Sequence, residues 1–286
     1  MVEWVIPVLD SIYSQGVDNT LFEVVVTDNG GKPDLAEAVK IFNYENFHYY
    51  QTTSLGFTNQ IDAFEKCSGL FCKMLNHRSR MLPGSIKKII DLVEKYKDEK
   101  PILYCAEGYA KGGDIIECDN IDDFVRSLSY WISWSAGTGV WKTDLVNLRE
   151  KEINSMFPHT LFLFGLREET KFVIWNGVYE KMSNDVGKGG YDLFKTFGVS
   201  LLDILNNLRI LERISLETYI STKKDLYRFL CKLYFKEALL PSKHTFIIQD
   251  VATSIDVYWG RFYYYKLLLL AILRFPYMAI RRLLKL

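Results

Sequence analysis

The strongest constraint on the fold is an alternation of short apolar runs with amphipathic segments over about the first 180 residues. Phe22–Val26 is rich in β-branched residues and has few polar breaks, which is typical of a strand buried on both faces. Ile86, Ile89, Ile90 and Val93 recur at helical spacing, with lysines on the opposite face. This alternation predicts an α/β fold with a mostly parallel sheet flanked by helices.

The pattern changes near Asp192, where helical periods begin and continue to the C-terminus. The predicted strands are Phe22–Val26, Phe47–Gln51, Phe71–Leu75, Pro101–Tyr104 and Gly137–Trp141, while Leu161–Leu166 and Phe172–Trp175 fit a helix or a strand. The predicted helices are Pro7–Gln15, Leu35–Ile41, Asn59–Cys67, Ser85–Lys97, Ile121–Ile132, Asp144–Glu152, Leu193–Ile214 and Leu216–Leu240, with Ser242–Ile255 a further amphipathic stretch. We therefore predict an α/β domain over residues 1–190 and a helical C-terminal extension over residues 191–286.

Composition and charge exclude several classes of protein. The chain has 286 residues, of which 49% are hydrophobic and 24% charged, so it can bury a large core. Its formal net charge of zero provides no general basic field, and we predict no nucleic-acid partner. The five cysteines are odd in number and form no CxxC pair, which indicates free thiols in a reducing cytoplasm. No signal peptide is recognised at Met1.

The segment Leu70–Gly84 carries the strongest indication of a ligand site. Its apolar part, Phe71–Leu75, is followed by the polar run Asn76-His77-Arg78-Ser79 and then by Leu82-Pro83-Gly84. Open α/β sheets bind ligands at the carboxyl ends of their strands, so we predict a ligand at Asn76, His77 and Arg78. A surface loop without a ligand is the alternative.

Charged and aromatic residues elsewhere extend the list of candidates. Asp28 follows a predicted strand and begins a turn, where it either binds a ligand or accepts a hydrogen bond from its own turn. The tail Val257–Leu286 carries six basic residues and no acidic one, and its apolar run Leu267–Leu273 is too short to span a bilayer. This tail fits an interfacial helix on an anionic membrane surface, or a helix packed on the α/β domain or on a partner.

Four stretches resemble, in order and spacing, a family-2-like glycosyltransferase of the GT-A fold. They are Leu9–Gln15, Phe22–Gly30, Ala63–Leu75 and Leu82–Gly84, and the resemblance covers about two thirds of the chain. It implies a GT-A-like, Rossmann-like fold and the transfer of a hexosyl or related group from a nucleotide-diphosphate sugar, with inversion. The implied acceptor is a glycan or a lipid-linked glycan in bacterial surface polysaccharide synthesis. The implied location is the cytoplasmic face of the membrane, where the basic tail would attach peripherally.

The resemblance assigns the donor site. Asp28 and Asn29 would contact the nucleotide base, although Asn29 also fits simple turn chemistry. The family's DxD motif falls on His77 and Ser79, or on Asn76 and Arg78. Asn76, His77 and Arg78 would meet the donor diphosphate. Because no carboxylate remains there, a Mn²⁺ or Mg²⁺ cofactor is uncertain and its ligands are unassigned. The alternative is direct neutralisation by guanidinium groups or by a His77 imidazolium.

The acceptor side is assigned from the looser likeness of Trp134–Asp144 to the family's acceptor strand. Trp134, Gly137 and Thr138 would bind the acceptor, because aromatic faces stack on sugars and glycine permits close approach; packing in the core is the alternative. The family's acidic pair has no counterpart, so the expected catalytic base is His159 or Asp144, with Glu152 as a rival.

The chain departs from the family at its start as well as at DxD. The family's first strand is absent before the first helix, unless Val2–Pro7 takes its place. An alternative function is therefore a truncated or non-catalytic GT-A-like protein that acts as a membrane-associated interaction subunit. A different α/β nucleotide-binding enzyme is a third possibility, although the sequence has neither GxGxxG nor a Walker loop.

Overall fold

The structure is a computed structural model that describes residues 1–31, 33–168, 170–183, 187, 189–241 and 243–275. It divides into two compact units, Met1–Ser183 and Asn184–Leu286, where the sequence analysis placed a boundary at residue 190. The end of the predicted tail, residues 276–286, lies outside the described residues.

The first unit alternates strands and helices, as expected. Its helices are α1 (Val2–Tyr13), α2 (Pro33–Ala38), α3 (Asn59–Lys66), α4 (Ser85–Tyr96) and α5 (Ile121–Leu128). Its strands are β1 (Val24–Asp28), β2 (Phe47–Gln51), β3 (Phe71–Lys73), β4 (Ser79–Met81), β5 (Ile102–Cys105), β6 (Ile115–Cys118), β7 (Thr138–Trp141), β8 (Phe172–Trp175) and β9 (Glu180–Met182). The predicted α/β class is confirmed.

The central sheet has five strands in the order β3-β7-β5-β8-β6. Only β5 and β8 are parallel in it; β7 runs antiparallel to both β3 and β5, and β6 runs antiparallel to β8. Two further pairs, the parallel β1-β2 and the antiparallel β4-β9, form separate two-stranded sheets. The sheet is therefore mixed rather than mostly parallel, a common arrangement in α/β proteins. Since β3, β5 and β8 point the same way, their carboxyl ends share one edge with the start of β7.

Two glycines around the start of β7 permit close packing with its neighbours. A Cβ atom on Gly137 would lie 2.3 Å from Cζ of Tyr104, and one on Gly139 would lie 2.2 Å from Cζ of Phe71. Real Cβ atoms do not approach other atoms so closely, so each aromatic ring fills space that the missing side chain leaves. Gly137 therefore packs against β5 and Gly139 against β3.

The start of the chain is helical. Helix α1 begins at Val2, five residues before the predicted start, and Pro7 lies inside it. The helix buries Val5, Val8 and Leu9 in a cluster with residues of α2, so packing outweighs the one hydrogen bond that Pro7 cannot donate. The segment Val2–Pro7 therefore does not form a strand in place of the family's first strand.

The region after β7 differs most from expectation. The helix predicted over Asp144–Glu152 is wrong: the structure has two single 3₁₀ turns, Lys142–Asp144 and Leu148–Glu150. Asn147 separates them in a left-handed conformation with φ of 54°, which interrupts a helix. Of the two ambiguous segments, Leu161–Gly165 is a π-helical turn and Phe172–Trp175 is strand β8.

The second unit is mainly helical. Its elements are β10 (Gly189–Asp192), α6 (Leu193–Lys195), α7 (Leu201–Ile210), α8 (Leu216–Leu233), β11 (Thr245–Ile247), α9 (Val251–Trp259) and α10 (Arg261–Ile272). The predicted stretch Ser242–Ile255 contains β11, which pairs with β10, before α9 begins. None of the helices in the described ranges has the length and apolar character that crossing a membrane requires.

Candidate active site

The carboxyl edge of the central sheet brings together four short segments of chain. Three of them follow β3, β5 and β8, and the fourth is Trp134–Gly137, which precedes the antiparallel β7. This edge is where α/β sheets bind ligands. It contains the predicted residues Asn76, His77 and Arg78, as well as charged residues that the sequence analysis did not select.

In the β3 tip, Asn76–Arg78, the side chains contact one another. The Asn76 side-chain oxygen accepts a hydrogen bond from the backbone N–H of Arg78 at 3.0 Å. The Arg78 Nε–H donates to Nε2 of His77 at 3.3 Å, and the guanidinium carbon lies 3.4 Å from the centre of the Trp4 ring. Arg78 is only 6% exposed. In this conformation the Arg78 guanidinium is stacked on helix α1.

The charge of the β3 tip also differs from expectation. Burial, reinforced by the Arg78 cation and the chain's amino terminus, lowers the pKa of His77 to about 4. His77 is therefore neutral at pH 7, which contradicts the expected imidazolium. Neutral His77, the engaged Asn76 oxygen and the Arg78 cation form a donor set that does not fit Mn²⁺ or Mg²⁺, because these ions prefer carboxylate oxygens. No three acidic, histidine or cysteine side chains cluster as metal ligands in the part of the chain that the structure describes.

Asp28 and Asn29 lie at the carboxyl end of β1. The Asp28 carboxylate accepts from the backbone N–H of Gly30 at 2.8 Å, which is the Asx-turn alternative, and from the Tyr49 hydroxyl at 2.7 Å. Burial and this carboxylate raise the pKa of Tyr49 to about 12. The Asn29 amide donates to the carbonyls of Ser54 and Gly56. Contact of either residue with a nucleotide base stays a prediction.

Of the three predicted acceptor residues, the structure buries two and leaves one partly exposed. Gly137 is covered by the Tyr104 ring, so its lack of a side chain serves core packing rather than close approach of a sugar. Thr138 is fully buried. Trp134 is half-buried and stacks on Trp131 at a ring distance of 5.7 Å, and Trp131 stacks on Tyr109 at 4.6 Å. Only Trp134 thus belongs to a partly exposed aromatic stack.

Neither expected catalytic base is placed for that role. Asp144 follows β7 and so lies at the opposite edge of the sheet, where it is ion-paired with Arg167 at 2.6 Å. His159 is 1% exposed, and its Nε2 lies 2.9 Å from the Ile132 carbonyl oxygen. Burial lowers the pKa of His159 to about 4. A base must reach an acceptor hydroxyl, and this geometry argues against both residues.

Glu107 is a residue that the sequence analysis missed. It lies two residues beyond β5, half-buried, in a left-handed conformation with φ of 56°. One of its carboxylate oxygens accepts from the Tyr179 N–H at 3.1 Å. Burial, with a smaller contribution from Glu180, raises the pKa of Glu107 to about 7, while Lys73 and the backbone N–H groups of Tyr179 and Glu180 oppose this rise.

Glu180 and Lys73 complete a charged cluster with Glu107. The Lys73 ammonium donates to the carbonyls of Met74 and Ala136 and to the Tyr179 hydroxyl. Glu180 is 5% exposed, and neither carboxylate oxygen has a hydrogen-bond partner within the described residues. Burial raises the pKa of Glu180, whereas Lys73 lowers it.

Other buried polar groups in the described part of this edge also have no hydrogen-bond partner. They are Ser79 Oγ, Thr138 Oγ1 and Trp134 Nε1. Ser79 and Trp134 lie close enough to Glu180 to lower its pKa, although neither forms a hydrogen bond of normal geometry with it. Buried polar groups are normally paired, so this concentration makes the edge a candidate ligand site. The signal in the sequence was a charged residue directly after or inside an apolar run, in Cys105-Ala106-Glu107 and Phe71-Cys72-Lys73.

The alternating α/β unit, with its mixed sheet and polar carboxyl edge, fits a GT-A-like fold. No family model matches the chain, and no curated protein sequence matches it.

Solved structures of TarS from S. aureus show the same fold. The structure of TarS 1–349 has a TM-score of 0.52 and 14% identity, covering 82% of this chain and 69% of that chain. Its complex with UDP-GlcNAc has a TM-score of 0.52 and 14% identity, covering 81% and 69%. Its complex with UDP has a TM-score of 0.51 and 15% identity, covering 81% and 68%. At these identities the likeness concerns the fold.

Proposed function

We propose that this chain is a glycosyltransferase that moves a sugar from a nucleotide-diphosphate donor to a glycan or lipid-linked acceptor. The observation that carries the proposal is the charged cluster of Lys73, Glu107 and Glu180 at the ligand-binding edge of the sheet, in which the buried Glu180 carboxylate has no hydrogen-bond partner among the described residues. The fold supports it, because TarS, a glycosyltransferase, has been solved with UDP-GlcNAc and with UDP. A uridine diphosphate sugar is accordingly the first donor to test.

On the donor side, we propose that the base lies near Asp28 and Asn29 and that the diphosphate lies at the β3 tip. A guanidinium pairs with phosphate through two hydrogen bonds, so Arg78 would carry the charge that a metal carries elsewhere. Because Arg78 is only 6% exposed, phosphate binding requires its guanidinium to become more accessible. Transfer would proceed with inversion at the anomeric carbon.

On the acceptor side, we propose a lipid-linked substrate and peripheral attachment to the cytoplasmic face of a bacterial membrane. Helix α10 supports this, since large apolar side chains stay exposed along it: Phe262, Tyr265, Leu269, Ile272 and Leu273 are 54–74% exposed. Arg261, Lys266 and Arg274 accompany them without an acidic residue. Apolar and basic side chains together suit an anionic lipid surface.

Donor binding and turnover test the enzymatic proposal. We expect the full-length protein to bind UDP in a calorimetric titration and to release UDP from at least one of a panel of nucleotide sugars, with or without a chelator. Absence of nucleotide binding would refute the proposal. Activity that persists in the chelator would support neutralisation by side chains rather than by a metal.

Membrane attachment has its own test. The full-length protein should sediment with vesicles that contain anionic lipid and stay in solution with neutral vesicles. The double variant F262S/L269S should lose most of this binding, whereas the control L211S, at an exposed leucine after α7, should retain it. Sedimentation of F262S/L269S equal to that of the unchanged protein would contradict a role for α10.

A non-catalytic interaction subunit is the second candidate. The β3 tip favours it, because it has no carboxylate and its arginine is covered by Trp4. This candidate predicts nucleotide binding without turnover of any donor, or no nucleotide binding at all. The panel measurement therefore distinguishes the two candidates.

A further inference from the structure

We propose that Glu107 takes the proton from the attacking hydroxyl of the acceptor, and that Glu180 and Lys73 are positioning residues that set its charge. This inference rests on the proposed glycosyltransferase function and assigns a residue to its chemical step. The sequence analysis did not select Glu107. The assignment comes from the conformation and surroundings of this side chain.

The backbone holds Glu107 in a conformation that side chains rarely adopt. Its φ is 56°, and Gly108 follows with φ of 73°. A left-handed conformation costs a residue with a Cβ atom about 1–2 kcal/mol, and such strain is concentrated at functional sites. An unconstrained turn would have a glycine or an asparagine at this position. The turn directs a half-buried carboxylate from the end of β5 toward the Tyr179 N–H.

Charged groups on two neighbouring elements face this carboxylate. Glu180, at the start of β9, raises the proton affinity of Glu107, and Lys73, at the end of β3, lowers it. Burial is the largest contribution and places the pKa of Glu107 at about 7. A carboxylate that titrates near the working pH is a better base than one with an ordinary pKa, since it binds the proton more strongly while remaining partly ionised.

The neighbours of Glu107 provide evidence for a ligand that does not depend on its titration. The Glu180 carboxylate, Ser79 Oγ and Thr138 Oγ1 are buried without hydrogen-bond partners in the described residues. Each such group costs about 1–3 kcal/mol. If the side chains that cover Glu180 move apart, a hydroxyl group of an acceptor sugar can donate a hydrogen bond to its carboxylate, and this bond would offset part of the cost.

The proposed step balances as a single displacement. The acceptor oxygen forms a bond to the anomeric carbon of the donor sugar, and the bond from that carbon to the phosphate oxygen breaks. The electron pair of the broken bond leaves with the nucleoside diphosphate. The hydroxyl proton passes to the Glu107 carboxylate and afterwards to solvent, which the half-exposed side chain contacts.

The substitution E107Q tests the assignment, because it keeps the shape of the side chain and removes the base. UDP release would be measured with UDP-GlcNAc, or with whichever nucleotide sugar of the panel the unchanged protein turns over. We expect kcat to fall about 100-fold or more and the Kd for UDP to change by less than about 2-fold. The variant E99Q, at an exposed glutamate after α4, should keep normal values.

Two further variants guard against misfolding and test the positioning role. In E107G the left-handed backbone is retained without strain, so this variant should fold and be as inactive as E107Q. In E180Q a neighbouring negative charge is lost, so the acidic limb of the kcat–pH profile should move to lower pH. A purely structural role of Glu180 would lower activity without moving that limb.

The outcomes separate the two levels of the proposal. If the unchanged protein turns over a donor and E107Q keeps kcat within about 3-fold, the assignment of Glu107 is wrong and the proposed function stands. If the unchanged protein binds UDP but turns over no donor, Glu107 is not a catalytic base and the interaction subunit is favoured. If the unchanged protein binds no nucleotide, both proposals fail.

Discussion

The two strand ends that meet at the carboxyl edge of the central sheet are polar for different reasons. At the end of β3, Asn76, His77 and Arg78 satisfy one another, and Trp4 covers the guanidinium. At the end of β5, Glu107 is strained, half-exposed and close to the buried Glu180, whose carboxylate has no hydrogen-bond partner among the described residues.

The comparison shows that a polar run after a strand is a weak criterion for a site. What distinguishes the two ends is how completely their polar groups are hydrogen-bonded. A tip whose groups are paired is stable without a ligand, whereas buried unpaired groups gain from one. The β5 end is therefore the better location for chemistry, and the β3 end must rearrange before it can bind.

The largest effect should follow from removing the Lys73 cation at the end of β3. In K73M the carbonyls of Met74 and Ala136 lose a donor and the two glutamates lose a neighbouring cation. We expect a loss of about 3 kcal/mol in the free energy of unfolding, measured in urea. The matched control K88M, on the exposed face of α4, should stay within about 0.5 kcal/mol. Equal stability of both variants would contradict the buried cluster.

His77 at the end of β3 and Glu107 at the end of β5 should change the free energy of unfolding in opposite directions as the pH rises. The folded-state pKa of His77 lies near 4, below its ordinary value of 6.5, so its contribution is lost as the pH falls from 6.5 to 4. Because the His77 side chain is exposed, solvent screening limits this effect to about 1 kcal/mol. The raised pKa of Glu107 acts oppositely, because its contribution is lost as the pH rises from 4.5 to 7. This second effect is about 1–2 kcal/mol, since solvent screens a half-exposed group.

Urea unfolding at pH 4, 5, 6 and 7 measures these slopes. H77Q should flatten the loss of stability toward pH 4 without abolishing it, because the buried His159 adds a term of the same sign. E107Q should remove the decline between pH 4.5 and 7. Identical pH profiles for the two variants would show that the ends do not differ in charge as described.

Substitutions at Gly137 and Gly139, around the start of β7, should disturb the packing against β5 and β3 separately. In G139A the new methyl group meets Phe71 of β3, and in G137A it meets Tyr104 of β5. Each should cost about 2 kcal/mol in urea unfolding, because an overpacked core distorts. The control G113A, whose added atom would lie 3.9 Å from the nearest group, should be neutral within about 0.5 kcal/mol. If G113A costs as much, packing is not the cause.

The smallest effect concerns the cover on the β3 tip. W4L keeps an apolar side chain against Arg78 but removes the aromatic face, which should cost about 1 kcal/mol in unfolding free energy. If the tip binds the diphosphate, the freed guanidinium should strengthen UDP binding about 3-fold in calorimetry. Unchanged affinity in W4L together with unchanged affinity in R78Q would remove the tip from the donor site.

Local patterns predicted much of the fold. The strand predicted over Phe47–Gln51 is β2, and the helix predicted over Ser85–Lys97 is α4 with an end one residue earlier, because residue periodicity determines both. The direction of β7 and the pairing of β4 with β9 join residues distant in sequence, and no local pattern indicates them. The mixed sheet could therefore not be foreseen.

For the candidate site, the sequence predicted the edge of the sheet but not the charged cluster. A ligand edge after Phe71–Leu75 followed from the strand and its polar end, and Asp28 followed from its turn. Glu107 depends on a left-handed backbone and on a neighbour 73 positions later in the chain, Glu180, which only the folded chain reveals. Asp144 was misplaced because the direction of β7 decides at which edge it lies.

Gly137 and Gly139, whose missing side chains leave space for aromatic rings, also limit which substitutions the sequence can accept during evolution. A side chain at residue 137 is expected to fit only if a smaller residue replaces Tyr104. A side chain at residue 139 is expected to fit only if a smaller residue replaces Phe71. Each pair is thus expected to change jointly in related chains, with a small residue always opposite a large one. An exchange such as G139A/F71L should recover the stability that G139A alone loses, so a substitution tolerated in one lineage would be harmful in another.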